Sequence, residues 1–159
     1  MKKDLPEPTA IGWREWISFP DWGIEYTKVK VDTGARSSSL HVGDLEYFQE
    51  KDEEWVSFFV YPWQESTKDK VRIKAKVLDY KQVKSSSGCK DRRPVISADL
   101  VVAGRRISTE LTLSNRSEMG FRMLLGRASI RKGFIIYPGR SYLGGKAPAD
   151  IRKRNRGNI

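Results

Sequence analysis

The sequence predicts an all-β domain, a closed barrel or a sandwich, with little helix. Three observations carry this. Short stretches rich in aromatic and β-branched residues recur at spacings near ten, with turn residues between them. Their apolar residues alternate at period two rather than at helical spacing. The chain's 159 residues suffice for one domain with a real core, and no longer repeat is present.

Residues 1 to 10 read as a flexible lead, and "IGWREWISFP" follows as one imperfect strand. "DWGIEY" is a turn with Gly23 at its left-handed position. "YTKVKV" is a half-buried strand, Val29 and Val31 on one face, Lys28 and Lys30 on the other. "SLHVGDLEYFQ" continues as a strand bent at Gly43, and "EWVSFFVYPW" is a strand by propensity. "KVRIKAKVLDYKQV" carries Val71, Ile73, Ala75 and Val77 at period two and reads as one long strand with a basic outer face. "PVISADLVVAGRRISTELTL" is a hairpin around Gly104. "RMLLGRASIRKG" is apolar and then turns into one short helix, and "FIIYPG" is the last strand. Residues 146 to 159 lack apolar periodicity and read as a disordered basic tail, which leaves 11 to 145 as the domain.

Composition narrows the function classes. No apolar run approaches the roughly 20 residues that cross a membrane, and no signal-peptide h-region follows the N-terminal lysines. The expectation is a cytoplasmic protein with no membrane partner. Cys89 is alone, which excludes an internal disulfide. One His and one Cys make a zinc site hard to build, and neither an EF-hand nor a Walker loop is present. The net charge of +10 favours a polyanionic partner, either nucleic acid or an acidic polypeptide.

The chemistry-bearing stretch is "VDTGARSSSL", residues 31 to 40. A strand delivers Asp32 into a Thr33-Gly34 turn, and such a pattern alone is often only a turn. Much later come Leu124, Leu125 and Gly126, followed by Arg127. Asp-Thr-Gly-Ala after a strand, with Leu-Leu-Gly-Arg at that distance, resembles the aspartic peptidases of the retroviral-pepsin type. Together with "IGWREW", "RPVISADLVVAG", "LSNRSEMGFRMLLGR" and "SYLGG", the chain resembles the bacterial family labelled ATP-dependent zinc proteases. Its members are also described as retropepsin-like, and as peptidases that trim glutamate tails from a ribosomal protein. Neither zinc nor ATP has a motif here, so the reading takes no metal and no cofactor.

The resemblance implies a closed acid-protease barrel, active as a homodimer, that hydrolyses peptide bonds with one Asp32 from each copy. Thr33 would lock the two loops together, and Gly34 would let backbone and substrate approach closely. Leu124, Leu125 and Gly126 would support the loop from beneath. Ala35 stands where pepsin-like enzymes carry a hydroxyl donor, which implies a less acidic activity optimum. Arg36 replaces the acidic residue of retroviral enzymes, and its guanidinium can clamp a carboxylate. With Ser37 and Arg127 it marks a substrate cleft suited to a glutamate-rich polypeptide. A structural ion pair is the rival reading of Arg36. "SSSGCKDRRP", residues 85 to 94, occupies the flap position, where Lys90, Arg92 and Arg93 could meet substrate or simply face solvent. His41 reads as structural, the five tryptophans as core or dimer interface, and Ser38 and Ser39 as hydrogen-bond partners of the active loop. A second function class stays open: a non-catalytic basic β-barrel module that binds RNA or a ribosomal surface through "RKRNRGNI".

Overall fold

The computed structural model describes residues 7–84, 88–115 and 120–157. Eleven strands carry the described architecture: β1 (Thr9–Gly12), β2 (Arg14–Phe19), β3 (Ile24–Val31), β4 (Ser38–Glu50), β5 (Glu53–Val60), β6 (Val71–Lys76), β7 (Asp79–Lys84), β8 (Lys90–Val102), β9 (Arg105–Ser114), β10 (Met123–Leu125) and β11 (Phe134–Tyr137). Two short α-helices, α1 (Arg127–Ile130) and α2 (Ala149–Asn155), and a 3-10 turn at Pro20–Trp22 complete it.

Six strands close on themselves in the order β10, β3, β2, β8, β9, β4 and back to β10. Closure removes the open edges of that ring. It also fixes the interior, because the alternating faces of β3, β4 and β10 meet there. Val29, Val31, Leu40, Val42, Met123 and Leu125 are all buried. Two outgrowths leave the ring. The far half of β4 turns away to pair with β5, which pairs with β6, and β7 pairs with β8. The turn from ring to outgrowth is the register shift between Gly43 and Glu46, at the bend the sequence predicts. Gly23 has φ +69, the left-handed value its turn requires.

Four expectations need correction. The lead does not run to residue 10: Thr9 and Ala10 already pair with Phe134 and Ile135 in a parallel two-stranded sheet. "IGWREWISFP" is two strands, β1 and β2, rather than one. The long strand predicted over 70 to 83 is also two, because exposed Leu78 breaks the alternation; β6 stays on β5 while β7 turns onto β8. The basic tail is not structureless: α2 occupies residues 149–155, so the described residues hold two α-helices rather than one. Pro148 precedes α2, Asp150 sits in its first turn and Arg152, Lys153 and Arg154 in its last, an order that suits the helix dipole. Buried Asn155 ties it down, its Oδ1 accepting from the Gln64 N–H at 3.0 Å and its Nδ2 donating to the Gln64 side chain at 2.8 Å.

The fully buried Glu15 carboxylate holds the C-terminal segment to the ring. It accepts from the backbone N–H groups of Gly12 at 2.7 Å, Leu143 at 2.9 Å and Gly144 at 2.9 Å. Glu15→Gln puts an NH₂ against at least one of these donors, which strands buried polar groups at a cost of about 2–4 kcal/mol. A thermal melt is expected to fall by about 5–10 °C; an unchanged midpoint would show that the segment is held by other contacts.

Candidate active site

The 32–37 loop joins β3 to β4, which are not neighbours, because β10 lies between them. The loop therefore passes over the end of β10, and backbone hydrogen bonds stitch it there. Asp32 N–H donates to the Leu125 carbonyl at 2.9 Å, Arg127 N–H to Ala35 at 2.8 Å and Ala128 N–H to Arg36 at 2.9 Å. The Arg127 guanidinium donates to the Thr33 carbonyl at 2.7 Å. Gly126 lies so close beneath the loop that a Cβ there would stand 2.5 Å from the Ser37 carbonyl oxygen.

Buried hydroxyls extend the support. Gly126 N–H donates to Ser38 Oγ at 3.0 Å, Ser38 Oγ shares a hydrogen bond with Ser129 at 2.5 Å, and Ser129 bonds Thr109 at 2.6 Å. This chain of small polar groups couples β4, α1 and β9 under the loop, each satisfied by the next. The sequence places Ser38 near the loop; Ser129 and Thr109 carry no comparable signal.

The Asp32 carboxylate is half-exposed at the loop's outer side, with Oδ1 accepting from Gly34 N–H at 2.9 Å. Thr33 and Gly34 are exposed at the tip. Leu125 is buried beneath Asp32, whereas Leu124 faces the other way, into a small cleft with Ser39, His41 and Arg93. Trp16 and Trp63 are buried, and the His41 ring stacks on Tyr61.

Arg36 and Ser37 line a cleft of about 320 Å³ with Tyr80, Lys81, Val95 and Glu110. Among the described residues no carboxylate pairs with Arg36, so the structural ion pair is not formed. Lys81, which the sequence reading missed, donates to the Ser37 hydroxyl and joins the β7–β8 hairpin to the active loop. Asp79 and Glu110 also line this cleft, so it is mixed in sign rather than uniformly positive.

In the hairpin the three basic candidates diverge. Arg92 lies over the Tyr80 ring at 3.5 Å, and Arg93 pairs with Asp91 at 3.1 Å. Lys90 is exposed at the end of the described hairpin, and the loop's 85–87 segment lies outside the described residues. Burial and the adjoining Glu54 carboxylate push the Tyr80 hydroxyl up to about 12, so it stays a donor to Glu54 near neutral pH. Among the described residues no group of three His, Cys, Asp or Glu side chains could hold a metal ion. None of their helices is long and apolar enough to cross a membrane.

Comparison with known proteins identifies the family. The family model described as retropepsin-like aspartic endopeptidase RimB matches residues 10–147. The chain belongs to this family. The match spans all six strands of the ring and reaches the segment held by Glu15. A Shewanella pealeana protein named "Probable alpha-L-glutamate ligase" is 40% identical over 144 residues, 90% of this chain and 31% of its own length. A Desulfotalea psychrophila protein of the same name is 45% identical over 138 residues, 87% of this chain and 30% of its own. The chain thus spans under a third of the length of these relatives. A crystal structure of a Legionella pneumophila protein of unknown function superposes with a TM-score of 0.72 at 21% identity, over 86% of this chain and 98% of that one. It shares the fold.

Proposed function

We propose that the protein is an aspartic peptidase that works as a homodimer without metal or cofactor, in the cytoplasm, on acidic polypeptide. The observation that carries this is the half-exposed Asp32 carboxylate on a loop pinned from below by Leu125, Gly126 and Arg127. Such pinning has a chemical use, since a reacting carboxylate must be held in place before substrate arrives. Each chain supplies one such carboxylate. Two that meet across a two-fold axis share a proton, because like charges a few ångström apart do not both ionise.

The ionised member takes a proton from a water molecule as its oxygen attacks the peptide carbonyl carbon, and the protonated member gives its proton to the carbonyl oxygen. A proton then passes to the leaving nitrogen as the carbon–nitrogen bond breaks. Thr33 and Gly34 stand at the loop tip, where the second copy must approach. The support roles fall to Leu124, Leu125 and Gly126, and Arg127 positions the loop.

Ala35, Arg36 and Ser37 border the substrate path, with Arg36 as the carboxylate clamp and Lys90 at the hairpin end facing the bound chain. Arg92 and Arg93 act through Tyr80 and Asp91 to hold that hairpin. A glutamate-bearing substrate, such as a modified ribosomal protein tail, is supported by the relatives' name. Those relatives are named as glutamate ligases, and this domain would act on bonds of the kind such a ligase makes. Arg36→Ala is expected to lower kcat/KM on polyglutamate by about 5- to 20-fold, the worth of one charge-assisted contact, with neutral peptides little changed. Equal effects on both peptides, read by mass spectrometry of the products, would remove Arg36 from carboxylate recognition.

A further inference from the structure

On the flank of the ring, Arg14, Lys28, Lys146, Arg152 and Arg156 converge on a cavity of about 250 Å³ walled by Trp16 and Tyr142. No carboxylate lines it, and none of the five cations forms an ion pair among the described residues. Cations gathered at one cavity repel each other, and the fold brings them from three separate segments: β2, β3 and the stretch around α2. Arg152 lines the cavity with its Nε buried and unbonded among the described residues. Trp16 is nine-tenths buried with its indole Nε1 likewise unbonded.

We propose that this cavity is a binding site for carboxylate side chains of an acidic polypeptide, separate from the Asp32 loop and in line with it. Lys28 faces outward on β3, and Asp32 directly follows the strand's last residue, Val31, so the two lie four residues apart, about 13 Å at the rise of a strand. In register, Arg14 stands beside Lys30 and Trp16 beside Lys28. A chain running extended along β3 therefore reaches the cavity about four residues from the bond lying at Asp32. The mixed-sign cleft at Arg36 does not supply this concentration of positive charge.

The aromatic faces favour peptide over nucleic acid. Arg14 covers Trp13 at 4.5 Å and Tyr142 at 5.0 Å, and Lys28 stands 5.9 Å from the Trp16 ring centre and 5.7 Å from that of Tyr142. Bases that bind by stacking need such faces open. Cations seated on them keep their outward donors for carboxylate oxygens.

The proposal rests on the peptidase reading for its orientation but not for the binding itself. The test measures oligoglutamate affinity of the Asp32→Asn protein by calorimetry, with and without Lys28→Ala and Lys146→Ala together. Both substituted side chains are peripheral to the packed core, and a thermal melt confirms the fold. The paired change is expected to weaken oligoglutamate binding about tenfold or more, through two lost charge-assisted contacts. In the otherwise unsubstituted enzyme it is expected to raise KM for polyglutamate with kcat little changed. Unchanged oligoglutamate affinity overturns the proposal. So does tighter binding of a single-stranded RNA that the paired change abolishes, which would assign the cavity to nucleic acid. Binding that depends on Lys28 and Lys146 in a chain that cleaves no peptide supports the cavity and counts against the peptidase reading alone.

Discussion

Asp32→Asn is expected to lower peptidase turnover by at least about 10⁴-fold while leaving the fold intact. A single substitution removes both carboxylates of a two-copy site, so no residual acid or base remains at the reacting bond. The amide is nearly isosteric, and its oxygen can still accept the Gly34 N–H that now bonds Asp32 Oδ1 at 2.9 Å. The backbone bond from Asp32 to Leu125 does not involve the side chain. A thermal melt therefore should not move by more than about 2 °C, and oligoglutamate binding should persist or strengthen once a negative charge is gone. Loss of activity accompanied by unfolding would instead make Asp32 a structural turn residue.

Gly126→Ala is expected to be the most damaging single-methyl change at the site. The backbone of Gly126, at φ −92 and ψ 176, is open to alanine, so the effect comes from contact alone. The added carbon would stand 2.5 Å and 2.6 Å from the Ser37 carbonyl oxygen and carbon, and 3.0 Å from the Ala35 carbonyl oxygen. These are backbone atoms, which have no rotamer by which to withdraw. The 32–37 loop must lift, and the bonds from Arg127 N–H to Ala35 and Asp32 N–H to Leu125 stretch with it. Overpacking of this kind costs about 1–3 kcal/mol. The midpoint of melting should fall by about 3–10 °C. Activity should fall further, by about 10²-fold, since a misplacement near 1 Å is enough for that. Gly139→Ala, where an added Cβ meets nothing within 4 Å, serves as the neutral comparison. If both variants behave alike, the loop is not held from below in the way described.

Period-two alternation made β3 legible, because Val29 and Val31 face the ring interior while Lys28 and Lys30 face out. The pairing of "DTGA" with "LLGR" was legible as well, and the structure explains their separation in sequence: β10 must return between β3 and β4 to carry the loop. What escaped the sequence is polar and long-range. Ser38 and Ser129 are 91 positions apart, and a small hydroxyl gives no sign of its partner. Glu15 sits between half-exposed Arg14 and buried Trp16, a place where alternation does not reveal a buried carboxylate. Helix α2 was missed because it presents one large apolar side chain, Ile151, and gains its hold from Asn155 on Gln64. The five-cation cavity draws on the same segment that read as a disordered tail, so it was invisible for the same reason.

The central claim is that one catalytic site needs Asp32 from two copies of the chain. Mixing wild type with Asp32→Asn at constant total protein, after exchange of subunits, tests it directly. Random pairing at equal amounts leaves roughly one quarter of the dimers with two carboxylates, so activity should fall to about a quarter of the all-wild-type value. A fall to about one half, linear in the wild-type fraction, would mean that each chain acts alone and would contradict the account.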